Sequence, residues 1–132
     1  MTLPDRAIEL LTRPDVLAYL ATTNADGSPH VAPLWGDADP AAGLVVLNTA
    51  DGRRKVENMR RDPRVMVALH APDRMHPPVL IEGTVVEITS DGALEHMQGV
   101  ARRYTGEGWT EVPGQVRLIV RIRPDHVTTD AP

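Results

Sequence analysis

The chain has 132 residues, which is the size of one domain, so we expect a single domain over residues 1–132. It contains no cysteine, which excludes disulfides, thiolate metal sites and a cysteine nucleophile. The net charge is −4, and a chain with this charge is not expected to be a general nucleic-acid binder. No segment approaches the roughly 20 apolar residues of a membrane span, and nothing resembles a signal peptide. We therefore expect a cytoplasmic protein.

The hydrophobic pattern predicts six strands and a few short helices. Asp26-Gly27 is typical of a hairpin turn, and Gly83 indicates a bulge or bend inside a strand. Strands in a mostly antiparallel order favour a mainly β fold, a small closed barrel rather than a parallel α/β sheet. In chain order we predict a helix at 4–13, strands at 16–23, 28–36 and 44–49, a basic helix, strands at 64–70 and 79–89, a helix at about 91–104, and a strand at 115–123.

An apolar face is predicted for each of the last two elements, the helix at about 91–104 and the strand at 115–123. The helix at 91–104 places an apolar face toward the barrel, and the last strand alternates between apolar and basic residues. We expect the helix face to consist of Leu94, Met97, Ala101 and Tyr104, and the apolar strand face of Val116, Leu118, Val120 and Ile122.

The basic helix carries six of the 14 basic residues, all between Arg53 and Arg64. Its local net charge is +4, which leaves −8 for the rest of the chain. A solvated helix face is the simplest explanation of a charge run. However, basic residues at the start of a helix oppose the helix dipole, which favours acids there. They are explained if an anion such as a phosphate binds between them, with Thr49 and the N–H groups of the preceding turn.

Other chemistry finds little support in the sequence. The two serines, Ser28 and Ser90, lie in a turn and before a helix, where neither forms a nucleophile elbow. The five histidines lack metal-ligand spacing, and no P-loop or GxGxxG motif is present. We therefore predict no catalytic residue and no metal site.

Several segments together identify a family resemblance. The resemblance is carried by a strand and turn followed by "GRRKVENMRRDPRV" and another strand, and by the segments "YLATTNADGSPHVAPLW" and "IEGTVVEIT". The chain resembles the flavin- and deazaflavin-binding split-barrel superfamily that includes pyridoxamine 5′-phosphate oxidase. The most similar branch is the actinobacterial-type F420-dependent reductases of the B group. The resemblance covers nearly the whole chain. It implies a six-stranded, FMN-binding-like split β-barrel and a homodimer with the cofactor groove between protomers. It also implies hydride transfer between reduced F420 and a small electron-poor organic substrate.

The resemblance also implies site residues. The family's phosphate-binding lysine falls on Lys55, and its arginine on Arg53 or Arg54. One departure from the family, "RMHPPVLIEG", places His76 where relatives often carry an aromatic residue, so His76 is a candidate substrate contact. Two strand segments complete the predicted cofactor site. The first lies beneath the ring and consists of Pro33, Leu34 and Trp35. The second runs along the cofactor and consists of Asn48, Thr49 and Ala50.

Alternatives to F420-dependent catalysis remain open from the sequence. FMN has a phosphate close to its ring, so the same site would serve an FMN-dependent oxidase or reductase. F420 differs by its tail carboxylates, which Arg60, Arg61 and Arg64 could bind, and this favours F420. A non-catalytic F420-binding or storage protein is a second alternative. In a third, the barrel holds no cofactor and the basic helix contacts an acidic protein.

Overall fold

The computed structural model describes residues 2–73 and 77–129, which form three helices and seven strands. In chain order they are α1 (Asp5–Thr12), β1 (Leu17–Thr23), β2 (Pro29–Trp35), β3 (Ala38–Asp39), β4 (Leu44–Ala50), α2 (Arg54–Arg61), β5 (Arg64–Leu69), β6 (Val79–Thr89), α3 (Ala93–Thr105) and β7 (Arg117–Thr128). Within these ranges no helix is long and apolar enough to cross a membrane.

All strands lie in one antiparallel sheet with the order β2-β1-β5-β6-β7-β4-β3. The two edge strands, β2 and β3, are consecutive in the chain and are separated only by Gly36 and Asp37. The sheet must therefore curl until its two edges meet, which gives a half-barrel. The predicted mainly β split barrel is confirmed.

The β1–β2 hairpin forms where the sequence predicted it. Gly27 has φ +87°, a conformation that glycine adopts at little cost. The turn is closed by hydrogen bonds from the Gly27 amide to the Asn24 carbonyl (2.9 Å) and from the Asn24 amide to the Ser28 carbonyl (2.8 Å). The hairpin register pairs Leu17 with Trp35, and this pair places the start of β1 beside the predicted cofactor strand.

The main core fills the inside of the curled sheet. Alternate residues of the strands are buried there, and α1 closes one end with Leu10 and Leu11, which are fully buried. α3 packs on the outer face, where Ala93 joins Val46 and Ile119 in a smaller cluster. Because both of its faces are covered, β7 buries Leu118, Ile119 and Val120 in succession.

The structure corrects several details of the predicted elements. There are seven strands rather than six, because the pair Ala38–Asp39 adds a short edge strand to β4. β7 continues to Thr128 along the long strand β6. Val116 precedes β7 and is 49% exposed, and Leu94 is 37% exposed, so these two members of the predicted apolar faces are not buried. The irregularity predicted at Gly83 is confirmed, since the β6–β7 register shifts between Glu82 and Gly83.

Candidate functional site

A cavity of about 370 Å³ lies between the end of β2, the end of β4, the start of α2 and the inner side of α3. This volume falls in the range of about 300–1,000 Å³ that is usual for small-molecule sites. Its lining consists of Leu17, Pro33, Leu34, Trp35, Asn48, Thr49, Ala50, Arg53, Lys55, Met97, Val100, Trp109 and Arg117.

Most of the residues predicted to bind a cofactor surround this one cavity, although they come from three separate elements. The exception is Arg54, which lies on the other side of α2 beside Asp26 and Asn58. Of the two arginines that the family resemblance offered, the structure therefore brings Arg53 to the cavity. His76, the predicted substrate contact, lies outside the described residues.

The turn between β4 and α2 is held by Asp51. The Asp51 amide donates to the Val116 carbonyl (2.8 Å), and the Asp51 carboxylate accepts from the Gly52 amide (2.9 Å) and from Arg60 (3.0 Å). Gly52 has φ +88°, so glycine suits this position. α2 then begins at Arg54 with no side-chain cap, and Arg53 occupies the cap position. The first amides of α2 are thus left available to a bound anion.

Three cations meet at the cavity: Arg53, Lys55 and Arg117. Burial lowers the pKa of Lys55, and the charges of Arg53 and Arg117 lower it further. Burial likewise lowers the pKa of Arg117, with a contribution from Arg53. Among the described residues, none of the three forms an ion pair with a carboxylate. This concentration of unpaired positive charge costs free energy in the free protein and would favour an anionic ligand.

Sequence reasoning missed Arg117, which it placed only on the basic side of β7. The residue reaches the cavity because the β4–β7 register pairs it with Ala50, the last residue of β4. Its guanidinium donates to Asn48 Oδ1 (2.9 Å) and Gln115 Oε1 (3.2 Å), and it lies 5.2 Å from the ring centre of Trp109. Arg117 could have been identified only from the pairing of β4 with β7, and that register cannot be read from the sequence.

Asn48 is buried, and its amide already has protein partners. Asn48 Nδ2 donates to the Ala93 carbonyl (2.8 Å) and lies 3.0 Å from His96 Nδ1. His96 Nε2 in turn lies 2.8 Å from the Asp37 carboxylate. The sequence predicted Asn48 to contact the cofactor; Asn48 lines the cavity, and its side-chain amide also bonds to protein groups. His96, which the sequence did not single out, lies partly buried on α3 within this network.

Asp37 anchors the far end of the same network. Its carboxylate accepts from Arg103 (3.1 Å), which also donates to the Gly36 carbonyl. Burial alone would raise the pKa of Asp37, but the hydrogen bond with His96 and the charge of Arg103 lower it overall. Asp37 therefore stays ionised at neutral pH and ties the β2–β3 connection to α3.

Aromatic rings form two walls of the cavity. Trp35 stacks on Tyr104 with ring centres 5.3 Å apart and an interplanar angle of 9°. The Tyr104 hydroxyl donates to the Val16 carbonyl (2.7 Å) and accepts from the Gly36 amide (3.0 Å), so the stack is fixed to the backbone. Trp35 therefore packs against α3 and lines the cavity at the same time.

The remaining arginines of the basic helix region do not line the cavity. Arg60 pairs with Asp51 and Glu57, and Arg64 with Asp62. Arg61 donates to the Thr23 carbonyl and to Asn58 Oδ1. Each of the three has local partners, and their predicted contacts with a cofactor tail outside the cavity stay a prediction.

Comparisons with known proteins show the family of the chain and similar folds. The pyridoxamine 5′-phosphate oxidase family model matches residues 4–129. A solved structure named F420 reductase is 26% identical, with a TM-score of 0.82, 97% of this chain covered and 100% of that one. The conserved hypothetical protein Rv2991 from Mycobacterium tuberculosis is 27% identical, with a TM-score of 0.72 and coverage of 96% and 83%.

A more distant structure shares the fold alone. General Stress Protein 26 from Bacillus anthracis is 20% identical, with a TM-score of 0.67 and coverage of 91% and 88%. The family match extends over nearly the whole chain, from the start of α1 to the end of β7. The chain belongs to the pyridoxamine 5′-phosphate oxidase family.

Proposed function

We propose that the protein is an F420-dependent oxidoreductase that transfers a hydride between reduced deazaflavin and a small electron-poor organic substrate. The observation that carries this proposal is the group of three cations in a cavity whose other lining side chains are apolar or aromatic except for Asn48 and Thr49. Such a cavity is suited to a ligand with an anionic group at one end and a planar ring at the other.

The cationic end fits a phosphate. Arg53 and Lys55 belong to the start of α2, where uncapped amides add further donors, and Arg117 faces them from β7. Binding an anion there would relieve the mutual repulsion that lowers the pKa of Lys55. The lining contains no aspartate, glutamate or histidine among the described residues, so no carboxylate there repels an anion.

The apolar part of the lining fits a ring system. Pro33, Leu34 and Trp35 of β2 line the cavity together with Met97 and Val100 of α3. Reduced F420, when bound, supplies a hydride from C5 of its deazaflavin ring to an electron-poor acceptor. The protein contributes by orienting the ring and by excluding water from its buried side.

A second protomer would complete the groove, and we propose a homodimer. The register of the β1–β2 hairpin places Leu17, Tyr19, Val31 and Trp35 on one face of the sheet. Tyr19 is 45% exposed and Val31 is 60% exposed, although both are large and apolar. The cavity opens beside this apolar face, which another copy of the chain would cover.

F420 is preferred over FMN because of the structural similarity to an F420 reductase at 26% identity. FMN remains a second candidate, since the same cations would hold its phosphate and the family is named for pyridoxamine 5′-phosphate oxidase. The proposed F420 tail contacts of Arg60, Arg61 and Arg64 lie outside the cavity and would compete with their local partners, so the preference for F420 does not depend on them.

Turnover tests the proposal. The purified protein is mixed with F420H2 and a panel of electron-poor acceptors, such as activated alkenes, quinones and nitro compounds, and the return of F420 fluorescence is followed. The proposal expects protein-dependent oxidation with at least one acceptor and loss of that rate in Lys55→Ala. Tight F420 binding without oxidation of F420H2 by any acceptor would instead support a binding or storage protein.

A further inference from the structure

We infer that His96 is a positioning residue that fixes Arg117 in the cavity through the amide of Asn48. His96 does not line the cavity, so its effect is transmitted through the network of hydrogen bonds behind the wall. This inference rests on the proposed function for the identity of the ligand, but the network itself is present in the free protein.

The orientation of the Asn48 amide is determined by its partners. The Ala93 carbonyl can only accept, so the atom 2.8 Å away must be the Nδ2 donor of Asn48. Oδ1 then faces Arg117 Nε, which can only donate, at 2.9 Å. The Oδ1 and Nδ2 positions of Asn48 are thus assigned, because one neighbour can only accept a hydrogen bond and the other can only donate one.

The same reasoning assigns the tautomer of His96. The second hydrogen on Asn48 Nδ2 points at His96 Nδ1 (3.0 Å), so Nδ1 must accept. His96 Nε2 then carries the hydrogen and donates to the Asp37 carboxylate (2.8 Å). In this arrangement His96 accepts at Nδ1 and donates at Nε2, so the ring is fixed by an amide at one nitrogen and by a carboxylate at the other.

This network aligns Arg117 without neutralising it. The negative charge of Asp37 faces Arg103 and His96, and three hydrogen bonds separate it from Arg117. A carboxylate bonded directly to Arg117 would hold it equally well but would cancel the charge that an anionic ligand needs. The neutral amide of Asn48 supplies the alignment and leaves the guanidinium charge available to the cavity.

The first experiment observes the network in the free protein by NMR. Long-range ¹H–¹⁵N correlation at neutral pH should show His96 as the Nε2–H tautomer, and the Arg117 Nε–H should give a resolved, slowly exchanging signal. In His96→Leu this Arg117 signal should be lost or broadened. A His96 protonated on Nδ1, or an Arg117 Nε–H signal unchanged in His96→Leu, would overturn the inference.

The second experiment measures F420 affinity by fluorescence titration. His96→Leu should weaken binding by about three- to tenfold, the effect of one misaligned hydrogen bond. His96→Asn, whose Oδ1 can accept from Asn48 Nδ2, should recover most of the affinity, and thermal melting identifies any variant that fails to fold. Unchanged affinity in a folded His96→Leu, where Lys55→Ala does weaken binding, would contradict the inference. If the wild type binds no F420, the proposed function fails. The NMR result alone then shows whether His96 positions Arg117.

Discussion

Replacing Lys55 with alanine separates ligand binding from folding stability. In the free protein the Lys55 ammonium is partly buried next to Arg53 and Arg117 and has no carboxylate partner among the described residues. Its charge is therefore unfavourable for folding and is explained by a bound anion. Lys55→Ala should weaken ligand binding without lowering the thermal stability of the free protein.

The size of the binding effect follows from the hydrogen bond that is lost. A hydrogen bond to a charged group contributes about 1.5–3 kcal/mol, which corresponds to an affinity loss of about tenfold to 150-fold. In the free protein the removal of repulsion between Lys55 and its two neighbours offsets the loss of side-chain packing. We therefore expect an unchanged or slightly higher melting temperature for Lys55→Ala.

The assay is equilibrium fluorescence titration of F420 with the wild type and the variant, together with thermal melting of both proteins. Arg102→Ala is the matched control, because it also removes one positive charge but lies exposed on α3 outside the cavity. This control should bind within about twofold of the wild type. Unchanged affinity in Lys55→Ala, or an equal loss in Arg102→Ala, would refute the assignment of the anion site.

Three further predictions follow from the same structure. Arg53→Ala should weaken F420 binding more than Arg54→Ala, since only Arg53 lines the cavity; equal losses in the titration would contradict this placement. Because the pKa of free Lys55 lies below its ordinary 10.5 and a bound anion raises it, F420 affinity should fall as pH rises toward 10.5, and Lys55→Ala should flatten this profile. In the free protein the same lowered pKa means that unfolding takes up a proton in this window, so the Lys55 contribution to stability rises with pH. Gly83→Ala should lower stability by about 1–3 kcal/mol in a denaturant melt, because its Cβ would lie 2.5 Å from Ile122 Cγ2 and 2.8 Å from the Arg123 carbonyl; a wild-type midpoint would disprove this clash.

Much of the fold was predictable because local signals decide it. The Asp26-Gly27 turn, the alternation within β1 and β5, and the interruption at Gly83 all depend on residues close together in the chain. The short strand Ala38–Asp39 was not predictable, since two residues carry no periodic signal and their pairing with β4 is a tertiary contact.

The candidate site was predictable only where its residues are contiguous in the sequence. The segment from Asn48 to Lys55 is contiguous, so its charge pattern and its family motif could be read directly. Arg117 and His96 reach the same place through strand register and helix packing, with Arg117 opposite Ala50 and His96 behind Asn48. Such long-range contacts leave no local pattern in a single sequence.

The outer arginines show where a local charge pattern is less informative. Arg60, Arg61 and Arg64 share one short stretch with Lys55, and their composition alone indicated a continuous cationic surface. In the structure none of the three lines the cavity, and each has local carboxylate or carbonyl partners. The cations at the cavity are therefore fewer than the charge run suggested and include Arg117 from a distant strand. The contacts of the outer arginines with an F420 tail, outside the cavity, stay a prediction.

The central claim is that the cavity between β2, α2 and α3 binds a deazaflavin cofactor. Fluorescence titration of the purified protein with F420 and, separately, with FMN tests this claim most directly. We expect saturable F420 binding in the micromolar range or tighter and clearly weaker binding of FMN. Preference for FMN would move the protein to the flavin-dependent members of its family, and binding of neither cofactor would contradict our explanation of the three unpaired cations.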